Sequence, residues 1–553
     1  MLLLIKLSYF LLESFFYTLY LWFLDMSFYS EIINLILSKK INSKEELHKT
    51  KVKLCKKYKL NSVPPDSEIL SRLSKDYSEE EIEIILPILR KKSMRSISGV
   101  AIVAVMTSPE SCPHGNCIPC PGGPDYNTPQ SYTGYEPAAM RGILNNFDPY
   151  LQTKTRLSQL KSIGHSIDKI DFIIMGGTFT SRPPYYKKYF VKRCFDALNN
   201  KESKSLIDAQ KLNEKAKSRC IGLTIETRPD WFRIQNADNC LDYGATRVEL
   251  GVQTIFDDIL YKIKRGHTVT DSIRATKIAK DAGFKVCYHL MPGLPGSNNE
   301  LDIKSFQTVF EDENFKPDMI KIYPTLTIKG TKLYDMYKKG EYEPLTTQKA
   351  SSLIAQIKSI VPEWIRIQRI QRDVPSQHIN AGVKKSNLRQ IIKKEMDKKN
   401  LECRCIRCRE IGHSSLNKDI KLDDDNIGFD FTYYNASSSE EAFISLIDEK
   451  NDLLIAYLRL RNIEDSHRYE LKNNPCIIRE LKVVGREIEI GNKEKTAFQH
   501  RGFGKELIAE AEKICLEYFD KKEIFVLSGI GVKEYYRKLG FKDNGVYLSK
   551  TII

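Results

Sequence analysis

The chain has 553 residues, a formal net charge of +15 from 86 Lys+Arg against 71 Asp+Glu, and hydrophobic and charged fractions of 41% and 28%. Such a length holds two or three domains with full-sized cores, and the balanced composition, without internal repeats or long low-complexity tracts, excludes a fibrous or disordered chain. Its 13 cysteines are mostly scattered singly, which excludes a disulfide-built secreted scaffold, and its basic excess points either to a polyanionic partner such as nucleic acid or to a merely lysine-rich proteome.

Residues 1–25 form a hydrophobic leader in which Leu7 to Leu24 is broken only by Glu13. The run is barely long enough to span a bilayer, and a charge inside it is costly. It reads as a signal anchor, or as a segment ahead of a true start at Met26. The second reading is favoured because an amphipathic, soluble-type sequence begins at Met26; a membrane partner is expected only if the leader is translated.

Residues 26–94 read as a helical, basic region. Ile32, Ile33, Leu35 and Ile36 make an apolar face, and Ser78 with Glu81 opens a helix over Ile82 to Leu89. Six lysines from Lys49 to Lys59, with no acid among them, are expected between the helices. Over residues 95–375, apolar runs alternate with amphipathic helices: Val100–Met106, Lys169–Met175, Ile221–Glu226, Arg247–Val252, Lys285–Met291 and Met319–Tyr323. That alternation predicts a parallel α/β barrel or part-barrel, whose chemistry sits at the carboxyl ends of the strands. Residues 376–427 form a basic connector, in which Lys384, Lys385, Arg389, Lys393 and Lys394 lead into Cys403, Cys405 and Cys408. Residues 428–553 read as a compact α/β domain, with strands at Ala442–Asp448, Leu453–Arg459, Ile477–Val484 and Glu523–Ser528 around a helix at Gly502–Tyr518.

Three sequence clusters carry chemistry. Cys112, Cys117 and Cys120 follow the first strand, and three thiolates on one loop leave one position of a [4Fe–4S] cluster open. A zinc ion competes, with His114 as the only nearby fourth ligand. Gly176-Gly177 at the next strand end suits the amino group of S-adenosylmethionine, while Glu226, Arg228 and Gln253 offer polar groups for its carboxylate and ribose. These features together favour a radical enzyme. The second cluster, Gln499-His-Arg-Gly502-Phe503-Gly504-Lys505, opens a helix whose amides can cradle a pyrophosphate, or is a turn for tight packing. It resembles the acetyl-CoA loop of GNAT acetyltransferases, and Tyr536 stands where that superfamily often places a general acid. The third cluster, Cys403, Cys405 and Cys408, is a candidate zinc site with His413 or His378 as fourth ligand, or three reduced thiols.

Taken together, the Cys-x4-Cys-x2-Cys motif, Ser131-Tyr-Thr-Gly-Tyr-Glu-Pro137, Thr224-Ile-Glu-Thr-Arg-Pro229, Lys321-Ile-Tyr-Pro-Thr325 and Phe498-Gln-His-Arg-Gly-Phe-Gly504 resemble the Elongator catalytic-subunit family (elongator complex protein three) from Met26 to the end. The four-residue cysteine gap and the Cys403 triplet look more like its archaeal and bacterial branch. The resemblance implies a partial TIM-like radical-SAM barrel followed by a GNAT domain, after a helical N-terminal region. It implies carboxymethylation of the tRNA wobble uridine, position 34, at C5. A deoxyadenosyl radical would take a hydrogen from the methyl of acetyl-CoA, the carbon radical would add to C5, and thioester hydrolysis would finish the product.

Carried over residue by residue, Cys112, Cys117 and Cys120 hold the cluster and Lys169 contacts acetyl-CoA from the barrel. Glu480, Leu481, Lys482, Val483, Phe503, Gly504, Lys505 and Tyr536 form the GNAT side of that site, with Tyr536 and Lys169 the catalytic candidates. The lysines at 49–59 and the 384–394 stretch are candidates for tRNA phosphate contacts. Expected partners are tRNA, other Elongator subunits in a eukaryote, and a homodimer; the expected compartment is the cytoplasm, with the nucleus as a second. Two rivals remain: a protein lysine acetyltransferase (histone or tubulin) with a structural cluster, and a tRNA-binding scaffold with dead sites.

Overall fold

A computed structural model describes residues 27–60, 62–73, 77–90, 99–414, 424–484 and 502–552, which fall into two units. The leader and the Gln499–Arg501 part of the glycine loop lie outside the described residues.

Among its described residues the first unit holds the helices α1 (residues 27–37), α2 (Lys44–Lys57), α3 (Asp66–Ser71) and α4 (Glu79–Leu89), together with Arg156–Ile167, which includes the end of the helix Pro149–Ser162. Their apolar stripes close on Phe28, Ile32, Ile36, Leu47, Leu54, Ile69 and Ile85. Ser78 and Glu81 form a reciprocal capping box at the start of α4. The lysines from Lys49 to Lys57 lie on α2 itself rather than between helices. Glu45 and Glu46 in its first turn and Lys56 and Lys57 in its last complement the helix dipole, so the basic run is also a good helix. Part of that charge is spent internally: Lys49 pairs with Glu45, buried Lys51 with Asp66, and Lys57 with Glu31. Lys53, Lys56 and Lys59 stay exposed and, among the described residues, unpaired.

The second unit begins with seven parallel strands in chain order: β1 (Val100–Met106), β2 (Lys169–Met175), β3 (Arg219–Thr227), β4 (Arg247–Gln253), β5 (Lys285–Leu290), β6 (Met319–Ile322) and β7 (Arg366–Ile370). No pairing joins β7 to β1 among the described residues, and residues of β2, β3, β4, β5 and β7, with Tyr323 just after β6, converge on one pocket, so the sheet is a curled, open part-barrel. The six expected strands are present within about two residues at each end. β7 escaped the sequence reading because Arg366-Ile-Gln-Arg-Ile370 alternates charge with a short apolar face and lacks the long apolar run of the others.

The remaining strands form a second sheet, ordered β13-β14-β12-β11-β10-β9-β8, from β8 (Ile427–Ala436), β9 (Ser439–Asp448), β10 (Leu453–Asn462), β11 (Cys476–Val483), β12 (Glu523–Val526), β13 (Lys542–Asn544) and β14 (Tyr547–Thr551). Only β11 and β12 pair parallel in this otherwise antiparallel sheet. One face packs on the helix Phe503–Lys513 around Ile444, Leu458, Ile478, Leu507 and Ala511. The opposite face is charged and covers the amino ends of the barrel strands. Arg479 of β11 grips Asp318, the residue before β6, and Glu441 of β9; Arg461 of β10 grips Asp281 and Glu441. Gly529 and Gly531 let the turn after β12 lie against β3, where a Cβ would stand 2.1 Å from the Ile221 carbonyl oxygen or 2.5 Å from the Arg219 Cβ.

A candidate cluster pocket and a split-strand site

Beyond β1 the chain folds into a loop held by its own turns. The amides of Gly115 and Cys120 donate to the carbonyls of Cys112 and Cys117, the Ile118 amide donates to the Ile263 carbonyl, and the Cys112 amide donates to Gln130. Each cysteine sulfur meets a polar group: Cys112 the Thr178 hydroxyl at 3.5 Å, Cys120 the Ser131 hydroxyl at 3.5 Å, and Cys117 both Arg265 Nη1 at 3.7 Å and His114 Nε2 at 3.0 Å. Burial pushes the Cys120 thiol up to about 11 and raises Cys112 as well, so these thiols need a cation to ionise at neutral pH.

The spacing of the sulfurs separates the two cysteine triplets. Cys403, Cys405 and Cys408 bring theirs within 4.8 Å of one another, whereas Cys112, Cys117 and Cys120 line one pocket without doing so. A single zinc ion with bonds of about 2.3 Å draws its sulfurs to about 3.8 Å apart. The pocket triplet therefore suits a larger inorganic body, such as a cubane cluster, and the second triplet suits one ion. His378, a sequence candidate for that ion, instead stacks on Tyr135 at 3.6 Å, and the side chain of His413 lies outside the described residues.

The carboxyl ends of β2, β3 and β4 bring Gly177, Glu226, Arg228 and Gln253 to the same pocket, with Gly176 packed just behind it on Thr107. Gly176 and Gly177 both have positive φ, and at Gly177 a Cβ would sit 3.6 Å from the Cys112 sulfur, so the bare backbone keeps open the space beside it. Arg228 is buried and forks onto Asp230, leaving its Nη1 without a partner. Gln253 ends β4 at φ 71°, and its buried Oε1 also lacks one. Strain and orphaned polar atoms at strand ends mark a place where a polar ligand completes the structure. Glu226 accepts from the Tyr132 hydroxyl at 2.7 Å and lies 3.5 Å from the Lys321 ammonium. These groups fit the amino, carboxylate and ribose functions of S-adenosylmethionine.

Glycine at 176 is also required by packing: a Cβ would come within 2.0 Å of the Thr107 hydroxyl and 3.1 Å of the Thr107 amide nitrogen. Gly176→Ala is expected to cost about 2–5 kcal/mol from the combined backbone strain and overpacking. The check is the thermal midpoint together with iron uptake on reconstitution; a variant unchanged in both would refute the requirement.

Sequence reasoning missed a carboxylate at the floor of the pocket. Glu249, in the middle of β4, is fully buried, ion-paired to Lys321 and hydrogen-bonded to His289 Nε2 at 2.8 Å. Burial works against its charge, yet Lys321, His289 and Arg247 hold its carboxyl well below the usual range. Glu249 is level with Cys287 of β5 and Lys321 with His289 two residues further along, so the three charges meet across β5 through the curl of the sheet and not through a local pattern.

A second candidate site lies at the other end of the barrel. Among the described residues β11 and β12 pair from Cys476 to Ile478, after which β12 ends and the strands part, so that Glu480, Leu481, Lys482 and Val483 have no strand partner on that side among the described residues. Arg459 holds Glu480 at 2.9 Å, and burial lowers the Lys482 ammonium. The helix Phe503–Lys513 starts beside this gap after Gly502, at φ 101°, and a Cβ on Gly504 would lie 2.6 Å from the Tyr535 hydroxyl. Tyr536 is buried edge-on between Tyr535 and Phe541, and burial pushes its phenol up. Lys169 begins β2, a strand length of about 20 Å from the cysteine pocket, at the barrel end covered by the second sheet. It is thus not brought to the cysteines.

Comparison with known proteins agrees with this architecture. The Radical SAM superfamily model matches residues 108–306, the Radical_SAM C-terminal domain residues 317–398 and the ELP3 N-terminal domain residues 26–97. A tRNA uridine(34) acetyltransferase of Methanocaldococcus infernus is 53% identical over 493 residues, covering 88% of this chain and 92% of that protein. Elongator complex protein 3 of Dictyostelium discoideum is 44% identical over 533 residues, 94% of each chain. A solved structure of the archaeal Methanocaldococcus infernus Elp3, lacking residues 1–46, superposes with a TM-score of 0.74 at 49% identity, covering 82% of this chain and all of that one.

Proposed function

The chain belongs to the family of tRNA uridine(34) acetyltransferases and Elongator complex protein 3, and from that premise we propose that it carboxymethylates C5 of the tRNA wobble uridine with acetyl-CoA as carbon donor. The observation that carries this reading is the presence in one folded unit of a cysteine pocket sized for a cluster and a split-strand site with a glycine-opened helix. A [4Fe–4S] cluster held by Cys112, Cys117 and Cys120, together with S-adenosylmethionine, would supply radical chemistry able to take hydrogen from an unreactive C–H bond.

The chain's own residues divide the remaining work. Cys112, Cys117 and Cys120 hold the cluster, and Gly176 and Gly177 admit the cofactor beside Cys112. Arg228 Nη1, Gln253 Oε1 and Glu226 orient its polar groups, with Tyr132 fixing Glu226. At the far end, the edge of Glu480 to Val483 pairs with the pantetheine amides, and the amides of Phe503, Gly504 and Lys505 take the pyrophosphate. Lys169 meets acetyl-CoA from the barrel side. Tyr536 keeps its proton at neutral pH, which fits it to donate rather than to accept. Cys403, Cys405 and Cys408 bind zinc as a structural clip. Lys53, Lys56, Lys59, Lys384 and Lys385, all exposed, are suited to tRNA phosphates. Among the described residues no helix is long and apolar enough to cross a membrane. The tRNA reading implies action in the cytoplasm, alone or with other Elongator subunits.

The test is anaerobic reconstitution with iron and sulfide, followed by tRNA, S-adenosylmethionine, reductant and acetyl-CoA, with nucleoside analysis by mass spectrometry. Carboxymethyluridine is expected, and it should vanish when either S-adenosylmethionine or acetyl-CoA is omitted. Acetyl transfer to protein lysine without any modified uridine would replace this reading with that of a protein acetyltransferase.

A further inference from the structure

The mouth of the cysteine pocket is formed by two loops. One contributes Ser131, Tyr132 and Glu136, and the other, with Arg369 from the end of β7, contributes Arg372 and Asp373. Just outside the lining residues the loops touch through a ring stack: Tyr135 lies parallel to the His378 imidazole, with centroids 3.6 Å apart and planes 8° from parallel. Tyr135 remains 49% exposed, and Tyr126 on the same loop 62%. The stack rests on fixed supports. His378 ends the short turn Ser376–His378, its amide donating to the Pro375 carbonyl, and Arg372 reaches back across the mouth to the Ser131 carbonyl and over the Tyr132 ring. Arg369 stands alongside, partly exposed and paired with Asp373 at 2.7 Å.

We propose that Tyr135 and His378 form a stacking platform for a base flanking the uridine that enters the pocket. The proposal rests on the tRNA reading above and adds the surface that receives the anticodon loop. A base reaches a recessed active site only by leaving its own stack, which also strips its neighbours of a stacking partner. A rigid, half-exposed aromatic pair at the rim replaces that partner without selecting a sequence, since every base has a π face. Arg369 and Arg372 offer guanidinium groups at the rim that can donate to phosphate, each also facing a carboxylate, Asp373 at 2.7 Å and Glu136 at 4.0 Å. A protein partner is disfavoured as occupant because a protein hot spot sits in a well-packed apolar centre, whereas this stack sits among charged groups beside a recess.

The experiment uses the full chain and an anticodon stem-loop RNA carrying 2-aminopurine next to uridine 34. On binding wild type, the probe is expected to be quenched by stacking. Tyr135→Ala should weaken binding by about 5- to 150-fold and abolish the quench, with the salt dependence unchanged because no phosphate contact is lost. Tyr135→Phe and His378→Phe keep a ring and should keep the quench, which separates stacking from misfolding. Wild-type affinity and quench in Tyr135→Ala would overturn the platform and leave the tRNA reading standing. A wild-type chain that binds no stem-loop RNA would overturn both.

Discussion

Cys117→Ser is expected to give a folded protein that takes up no full complement of iron and sulfide, makes no carboxymethyluridine, and still binds tRNA. Cys117 is, as a residue, the most buried of the three pocket cysteines, and its sulfur has His114 and the Arg265 guanidinium both against it. Serine keeps the volume and the hydrogen-bonding capacity, so the local fold should survive. It supplies a poor ligand where a thiolate is needed, and two remaining cysteines cannot hold the cluster with one iron left open. Activity should fall to background, the largest functional effect expected of any single substitution here. Binding should persist because the exposed lysines Lys53, Lys56, Lys59, Lys384 and Lys385 lie on other segments. The measurements are iron and sulfide content after anaerobic reconstitution, nucleoside mass spectrometry and a tRNA gel shift. Modified uridine at wild-type level from this variant would sink the radical chemistry; loss of RNA binding would show that the cysteine loop is also part of the RNA surface.

How far the sequence reading reached follows from what each feature depends on. Barrel strands β1 to β6 were legible because their burial comes from apolar runs that local sequence displays. β7 was not, since its burial depends on closing against β6 across a register shift between Ile320 and Lys321, and three of its five residues are charged or polar. The Gly176-Gly177 turn and the cysteine loop were legible as motifs, because backbone conformation and ligand spacing are local. Glu249 with Lys321 was not, because two charges on strands separated by β5 meet only once the sheet curls. The same limit explains His378: the sequence offered it, beside His413, as a fourth ligand for the Cys403 triplet, while the fold spends its ring on Tyr135, more than two hundred positions away in the chain. Lysine density was legible, but its value was not. Glu31, Glu45 and Asp66 neutralise part of it through contacts that a count of charges cannot anticipate.

Asp318→Ala is expected to be the most destabilising surface-neutral change, costing about 3–5 kcal/mol. Asp318 is fully buried where the two sheets of the second unit meet. It accepts both terminal nitrogens of Arg479, at 2.8 and 2.5 Å, and the Val286 amide at 2.7 Å, with Arg459 at 3.6 Å and Lys280 at 4.0 Å. Deleting it leaves three buried cations with Glu441 and Glu480 as the remaining near counter-charges. An unpaired buried charge costs more than the pair ever contributed, because its desolvation is no longer offset. The sign with pH follows from the same geometry. Burial opposes the charge on Asp318, but Arg479, Lys280 and Arg459 hold its carboxyl far below the usual range. Its contribution is therefore complete above the unfolded-state pKa of about 3.9 and is lost as pH falls further toward the depressed folded value. Urea denaturation of wild type and Asp318→Asn, followed by circular dichroism, should show the wild-type advantage constant at neutral pH and shrinking between about pH 4 and pH 2. An advantage that stays flat through that window, or a variant as stable as wild type at pH 7, would mean that the sheets are held by their apolar contacts and that the charge network is incidental to their union.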